Sequence, residues 1–211
     1  SRRRHTRYWR DWSSDVCSSD LTCRRNVRAN PHMNSLRPLQ TTDGQAALEV
    51  YRQAVLSCPP QLYTAAQRTA WARQAQADQP APSLLHSLNH GIGLVCCDGG
   101  GKVIGFVVRE PAERIALLYC HPQHQRQGHG RRLLQAMEDQ ARNEGLKQLR
   151  TEASLLSQPL FCSTGWRVLW REELLIHAVP FHRYRLAKAL TPILEPWPKP
   201  SSSSSSTRSS S

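Results

Sequence analysis

The sequence predicts an α/β domain in which a mixed β-sheet carries helices on both faces. Three observations predict it. β-rich runs alternate with amphipathic helical stretches, the pattern of a layered sheet-and-helix domain. Two of the runs, Gly93-Leu94-Val95-Cys96-Cys97 and Val103-Ile104-Gly105-Phe106-Val107-Val108, are separated by Asp98-Gly99-Gly100-Gly101, a strong hairpin signal. A third run, Arg114 to Tyr119, leads through a basic, glycine-containing stretch into a helical pattern.

In chain order, Leu36 to Leu39 reads as a short first strand. Thr41-Thr42-Asp43 offers helix caps, and Ala46, Ala47, Val50, Tyr51, Ala54 and Val55 recur at helical spacing until Pro59-Pro60 ends the helix. Tyr63 to Gln76 is a second helical stretch with Tyr63, Ala66, Ala70 and Trp71 on its apolar side, followed by a connection through Pro80 and Pro82. After the hairpin and the Arg114 strand, Leu133, Leu134, Met137 and Ala141 share one helical face, and Gly145 is placed to end that helix. Leu146 to Ala153 supplies a fifth main strand, and Gln158 to Thr164 a short helix stopped by Gly165. Trp166 to Ile176 and Arg183 to Leu190 form a last antiparallel pair. The spacings of Trp71, Trp166 and Trp170 suit a core, and Arg183 and Arg185, alternating with Tyr184 and Leu186, suit a solvated strand face.

The stretch Gln125-Arg126-Gln127-Gly128-His129-Gly130 has the order strand, loop, helix on its side. Gly128 and Gly130 lack Cβ atoms, so backbone amides there can approach a ligand closely. The following helix adds the positive end of its dipole, and Arg126, Arg131 and Arg132 add charge, which suits phosphate oxygens. A dinucleotide fingerprint is excluded by the missing third glycine, and a Walker loop by the absence of Gly-Lys-Ser/Thr. The segment resembles the Gln/Arg-x-x-Gly-x-Gly/Ala loop of the GNAT N-acetyltransferase superfamily. Leu118-Tyr119-Cys120-His121-Pro122 and Thr151-Glu152-Ala153-Ser154 are similar to the strand ends of small bacterial GNAT proteins, and the resemblance covers about residues 36–190.

That resemblance implies an acyltransferase using acetyl-coenzyme A as donor, with attack by an amine in a ternary complex. It assigns the strand Leu117-Leu118-Tyr119 to the pantetheine arm, with the amide near Leu118 as oxyanion donor. It assigns Gln125, Arg126, Gln127, Gly128, His129, Gly130 and Arg131 to the pyrophosphate, with the His129 side chain in solvent near it. The first two helices form one wall of the acceptor site in that family. The acceptor is a small-molecule or peptide amine of unspecified identity, and dimers are frequent among relatives. Many relatives place a Tyr proton donor four residues before a Gly-aromatic pair. Here that pair is Gly165-Trp166, and Phe161 stands in the tyrosine position. Phe donates no proton, which also admits a non-catalytic acyl-coenzyme A sensor or interaction module.

Three residues are candidates for proton transfer. Glu152 relays a proton through water or is a carboxylate paired with Arg150 or Arg114. Tyr119 is a base or a packing residue, and His121, before Pro122, a base or a turn residue. Cys162 is adjacent to Phe161, but neighbours on a helix point about 100° apart. Cys120, His121 and His124 lack a fourth ligand at zinc-like spacing, so no metal is expected.

The ends of the 211-residue chain read differently. Residues 1–21 match the translation of a common sequencing-adapter oligonucleotide, whose codons spell Ser1 to Arg7 and Asp11 to Asp20 in order. The expected organisation is a non-native or disordered leader over 1–32, a native start at Met33, one domain over 33–195, and a disordered Pro/Ser-rich tail over 196–211. The formal charge is +12, of which residues 1–21 carry +2, residues 22–32 +3 and Arg208 +1, leaving +6 for residues 33–200. A site for a polyanionic cofactor accounts for part of that excess. Arg24-Arg25-Arg28, the one run resembling a nucleic-acid arm, precedes Met33, so nucleic acid is not an expected partner. No apolar run spans a membrane. Odd cysteine usage after Met33, with no secretory signal, favours reduced thiols in a cytoplasm.

Overall fold

The computed structural model describes residues 34–190. The leader, the start at Met33, the arginine run at 24–28 and the tail lie outside those residues. Seven strands form one sheet in the order β1-β2-β3-β4-β5-β7-β6. They are β1 (Ser35–Pro38), β2 (Ile92–Cys97), β3 (Val103–Arg109), β4 (Arg114–Cys120), β5 (Gln148–Ser154), β6 (Arg167–Ile176) and β7 (Val179–Ala189). The helices are α1 (Gly44–Leu56), α2 (Ala65–Ala72), α3 (Pro82–His90), α4 (His129–Asn143) and α5 (Gln158–Ser163). β1 to β4 are antiparallel neighbours, α4 crosses over to bring β5 parallel to β4, and β7 inserts antiparallel between β5 and β6. The predicted mixed sheet is present.

Helices cover both faces. Leu48, Tyr51 and Val55 of α1 and Leu84 and Leu88 of α3 pack with Val95, Phe106 and Val108 on one side. Leu133, Leu134, Met137 and Ala141 of α4 pack with Ile104, Val107, Ile115 and Leu149 on the other. β3 lies between the two layers, so all seven of its residues are buried. The hairpin turn closes as expected: Asp98 Oδ1 accepts from the amides of Gly100 (2.9 Å) and Lys102 (3.0 Å), and Gly101 has φ +83°. Gly145 and Gly165 follow α4 and α5 with φ +81° and +89°, the left-handed conformation that stops a helix.

Four expectations are corrected. The proline connection after α2 contains a helix, α3, because Pro82 sits at its first position, where a missing N–H costs nothing. The Tyr63–Gln76 stretch is helical only over α2 and a 3-10 turn at Arg73–Ala75, and Ala66 is exposed while Ala72 and Ala75 are buried. Trp170 is 55% exposed, because β6 is the outer strand. Arg183 and Arg185 are not a solvated face; each is tied to Glu172.

Trp166, by contrast, is core: its Nε1 donates to Glu138 Oε1 at 2.7 Å, and Lys188 Nζ reaches Glu138 Oε2 at 2.5 Å. Arg109, with its side chain fully buried, donates to both oxygens of Glu144 at 2.8 and 2.7 Å, fastening β3 to the end of α4. Among the described residues no helix is long and apolar enough to cross a membrane.

Candidate functional site

β4 and β5 run parallel, yet only Arg114↔Arg150 and Ile115↔Thr151 pair. Thr151 Oγ1 donates to the Ile115 carbonyl at 2.9 Å, so a side chain takes the acceptor at the point of parting. Beyond it the strands separate. The His121 amide donates to Ile104 O at 2.8 Å, marking that position as a hydrogen-bonded pair of the β3–β4 ladder. Such pairs recur at every second residue in an antiparallel ladder. Leu117 and Tyr119 therefore bond to β3, whereas Leu118 and Cys120 turn their N–H and C=O groups into the gap. The Cys120 carbonyl fits this alternation, for Gln125 Nε2 bonds it at 3.1 Å.

A cavity of about 700 Å³ lies on one side of the gap, lined by Leu118 and Cys120, by the loop residues Gln125, Arg126, Gly128, Gly130 and Arg131, and by Leu160 and Phe161. A second, of about 410 Å³, is lined by Tyr51 of α1, Trp71 of α2, Ser83, Leu84, His86 and Ser87 of α3, and the β6–β7 hairpin. Trp71, Ala116, Tyr119, Glu152 and Ser154 line both, so the two cavities meet where the strands separate.

The loop is built for close approach. Arg126 and Gly128 have φ +60° and +85°, and left-handed residues beside right-handed ones turn successive amides to one side. α4 begins at His129 with no side chain capping its first turn, leaving those amides open to an anion. The two glycines are needed for different reasons. A Cβ on Gly128 would meet nothing within 4 Å, so only its backbone conformation demands glycine. A Cβ on Gly130 would stand 3.3 Å from Leu160 Cδ2 and 3.6 Å from Cys120 Sγ, so there the space is taken.

Of the residues expected to contact the donor, Leu118, Tyr119, Gln125, Arg126, Gly128, Gly130 and Arg131 line the larger cavity. Leu117 faces the smaller one. Gln127 is exposed and holds Gln123 O at 3.1 Å. His129 is corrected: its ring is buried rather than in solvent, with Asn34 Nδ2 at 3.1 Å, Gln127 Oε1 at 3.3 Å and Cys96 Sγ at 3.8 Å. Burial lowers its pKa first, with the charges of His124 and Arg132 adding to that.

The proton-transfer candidates separate clearly. Glu152 is 8% exposed; Arg114 Nε donates to its Oε2 at 2.7 Å and Arg185 Nη1 donates to its Oε1. The paired alternative is therefore the one present, with Arg185 in place of Arg150. His121 lines neither cavity; it opens the 3-10 turn Pro122–His124, where its Nδ1 accepts from the Gln123 amide at 3.4 Å. Burial and neighbouring His124 and Lys102 lower its pKa.

The Tyr119 ring stacks on Phe106 (centroids 5.7 Å apart) and lies tilted against Tyr51 (4.3 Å), and the residue lines both cavities. Burial, then Tyr51, raises its pKa well above the ordinary 10.0, so the phenol keeps its proton at neutral pH. Phe161 is buried edge-on against Trp166 at 5.0 Å and lines the larger cavity. Cys162 is exposed and lines neither cavity; Gln158 Nε2 lies 3.0 Å from its Sγ. Among the described residues no group of three or more His, Cys, Asp or Glu side chains is placed to hold a metal.

Sequence reasoning missed the ion pairs that run past the smaller cavity, where Arg114, Glu152 and Arg183 line it. Arg114, Glu152, Arg185, Glu172 and Arg183 form one alternating row of ion pairs across four strands. The signal was present in Arg183-x-Arg185 facing Glu172 across a hairpin, but period two reads equally as solvent exposure.

A family model described as "Acetyltransferase (GNAT) domain" matches residues 60–188. Among solved structures, a GCN5-related N-acetyltransferase from Rhodopseudomonas palustris is 22% identical, with 74% of this chain and 95% of that chain covered and a TM-score of 0.68. PaiA N-acetyltransferase from Thermoplasma acidophilum, solved in complex with coenzyme A, is 16% identical, with coverage of 74% and 99% and a TM-score of 0.57. YncA from Salmonella typhimurium, solved with its cofactor acetyl-CoA, is 21% identical, with coverage of 79% and 99% and a TM-score of 0.53. At these identities the structures speak for the fold alone. A search of curated proteins returned no match.

Proposed function

Since the chain belongs to the GNAT acetyltransferase family, we propose that it transfers an acetyl group from acetyl-coenzyme A to an amine, with the donor in the larger cavity and the acceptor in the smaller. The observation that carries this reading is the parting of β4 from β5 between two cavities that meet at the gap. An acceptor nitrogen can reach a thioester only through such an opening, since a fully paired sheet would block it.

Acetyl-coenzyme A would supply an activated acyl group and a thiolate leaving group. Arg126, Gly128, Gly130 and Arg131 suit its pyrophosphate, because the uncapped start of α4 and the left-handed turns present amides to an anion. The Leu118 amide, turned into the gap, is placed to stabilise charge growing on the thioester carbonyl. In the reaction the amine nitrogen bonds the acyl carbon as the C–S bond breaks; the amine loses one proton and the thiolate gains one. Tyr119 is our choice for the second proton, because it brings a hydroxyl to the place where the two cavities meet. Glu152 positions Arg114 and Arg185 rather than acting as a base, both its oxygens being engaged.

The reading is tested by thermal unfolding with acetyl-coenzyme A, then by free-thiol release with a panel of amines. Binding to the native state raises the melting temperature by mass action. No shift at millimolar donor, in folded protein, overturns it. A second reading, a sensor that binds without turnover, is favoured by Phe161 at the position where relatives carry a tyrosine. Its signature is a melting shift with no thiol release across the panel.

A further inference from the structure

The row of ion pairs that reaches the smaller cavity through Arg114, Glu152 and Arg183 is incomplete in one sense only. Each oxygen of both carboxylates already holds a guanidinium N–H. Glu152 takes Arg114 Nε at 2.7 Å and Arg185 Nη1, and Glu172 takes Arg185 Nε at 2.9 Å and Arg183 Nε. The guanidiniums are not. Arg183 uses only Nε among the described residues, leaving both Nη groups, and Arg114 leaves Nη2 after bonding Glu110 O at 3.0 Å. Three guanidiniums against two carboxylates also leave the row with one positive charge beyond neutral.

Arg114 and Arg183 line the cavity itself, facing an aromatic wall in which Trp71 meets Tyr63 and Phe181 edge-on at 5.3 and 6.1 Å. The remaining acid of the lining, Glu110, lies at its edge with His86 Nε2 3.4 Å away. Unused, forked N–H donors fit a planar anion, and a carboxylate takes such a fork with two parallel bonds. A further ammonium group would find each carboxylate oxygen of the row already holding a guanidinium, with Glu110 the other acid in the lining.

We propose that this cavity selects a small amine that also carries a carboxylate on an apolar or aromatic body, with Arg183 and Arg114 holding the carboxylate. The inference rests on the smaller cavity being the acceptor side. A volume of about 410 Å³ suits a molecule of amino-acid size. Polyamines and aminoglycosides, which bring several positive charges and no anion, would leave those guanidinium donors unfilled.

The test compares matched probes by calorimetry on the full chain with coenzyme A present: phenylalanine against phenethylamine, leucine against isopentylamine, and spermidine as a polycation. The affinity for acetyl-coenzyme A, measured first on the same protein, tests the donor reading separately. At least one amino acid is expected to bind about tenfold or more tighter than its decarboxylated partner. In Arg183→Gln that advantage is expected to shrink to about threefold or less, with donor affinity retained, and Arg183→Lys should fall between. Equal or tighter binding of the decarboxylated amines, or tighter binding of spermidine, overturns the proposal. So does failure of both amino acids to bind at millimolar concentration in protein that binds the donor. If Arg183→Gln does not fold, the wild-type comparison alone decides.

Discussion

Arg114 Nε lies 2.7 Å from Glu152 Oε2, so a charged pair bridges β4 and β5 beside their last backbone-paired position. The carboxylate is almost wholly buried and is shared with Arg185. Glu152→Gln leaves two guanidiniums facing each other without a compensating charge. The expected loss is about 1–3 kcal/mol of unfolding free energy, moderated because the arginines are about one-third exposed. A lower denaturant midpoint at unchanged slope is the expected reading. Wild-type stability in this variant would mean the pair contributes nothing to holding the gap.

The two glycines of the loop predict different phenotypes. Gly130→Glu introduces a side chain where Leu160 Cδ2 already stands 3.3 Å from the Cβ position, together with negative charge beside the proposed phosphate site. Donor affinity is expected to fall at least tenfold, about 1.4 kcal/mol. Gly128→Ala meets no neighbour but holds an L-residue at φ +85°, which costs about 1 kcal/mol of stability. Calorimetry with acetyl-coenzyme A and denaturant unfolding distinguish the two.

Tyr119→Phe removes only a hydroxyl. The proposed role in protonating the leaving thiolate gives an expected fall in turnover of about 10²-fold, with donor affinity kept. Single-turnover thiol release is the measurement. A variant as fast as wild type would leave protonation to water and remove Tyr119 from the mechanism.

Acid stability should depend on Asp43. Hydrogen bonds from Arg37 Nη1 and Nη2, at 2.6 and 2.8 Å, and then the Gln40 amide hold its carboxyl below the ordinary 3.8 against burial, which raises it. A folded-state pKa below the unfolded one stabilises the protein above the unfolded value of about 3.9 and ceases to do so as pH falls through the folded value. Wild-type protein is therefore expected to lose this contribution below about pH 4. Asp43→Asn should be less stable at pH 7 and show a shallower decline on acidification. Unfolding midpoints at pH 7 and pH 3 test both.

The interior acid Glu138 gives a further prediction. Its side chain is 1% exposed and receives Trp166 Nε1, Lys188 Nζ and, at 3.4 Å, Arg142 Nη2. Glu138→Leu leaves the indole N–H without its acceptor and the Lys188 ammonium without its counter-charge, with only the Thr164 carbonyl at 2.6 Å, and is expected to cost about 3 kcal/mol or more. Trp166→Phe keeps the ion pair and should cost about 1–2 kcal/mol through its lost hydrogen bond and volume. Denaturant midpoints order the two variants.

Period and punctuation determined the sheet-and-helix architecture. Leu133, Leu134, Met137 and Ala141 could share a face only as a helix, Asp98-Gly99-Gly100-Gly101 could join two strands only as a tight turn, and Gly145 and Gly165 stop helices because glycine adopts a left-handed φ without a Cβ penalty. The loop from Gln125 to Gly130 was legible for the same local reason: its chemistry resides in backbone conformation that glycine permits.

The rest depended on neighbours remote in sequence. Whether Arg183 and Arg185 meet water or Glu172 is decided by the partner strand and the helices above it, since an alternating strand pattern does not identify the covered side. The burial of His129 follows from Asn34 and Cys96, 95 and 33 residues away. The gap itself has no signature in any single segment. Two parallel strands must pair at Ile115 and Thr151 and then separate at the next residue, a property of how β4 and β5 diverge that only the assembled sheet decides.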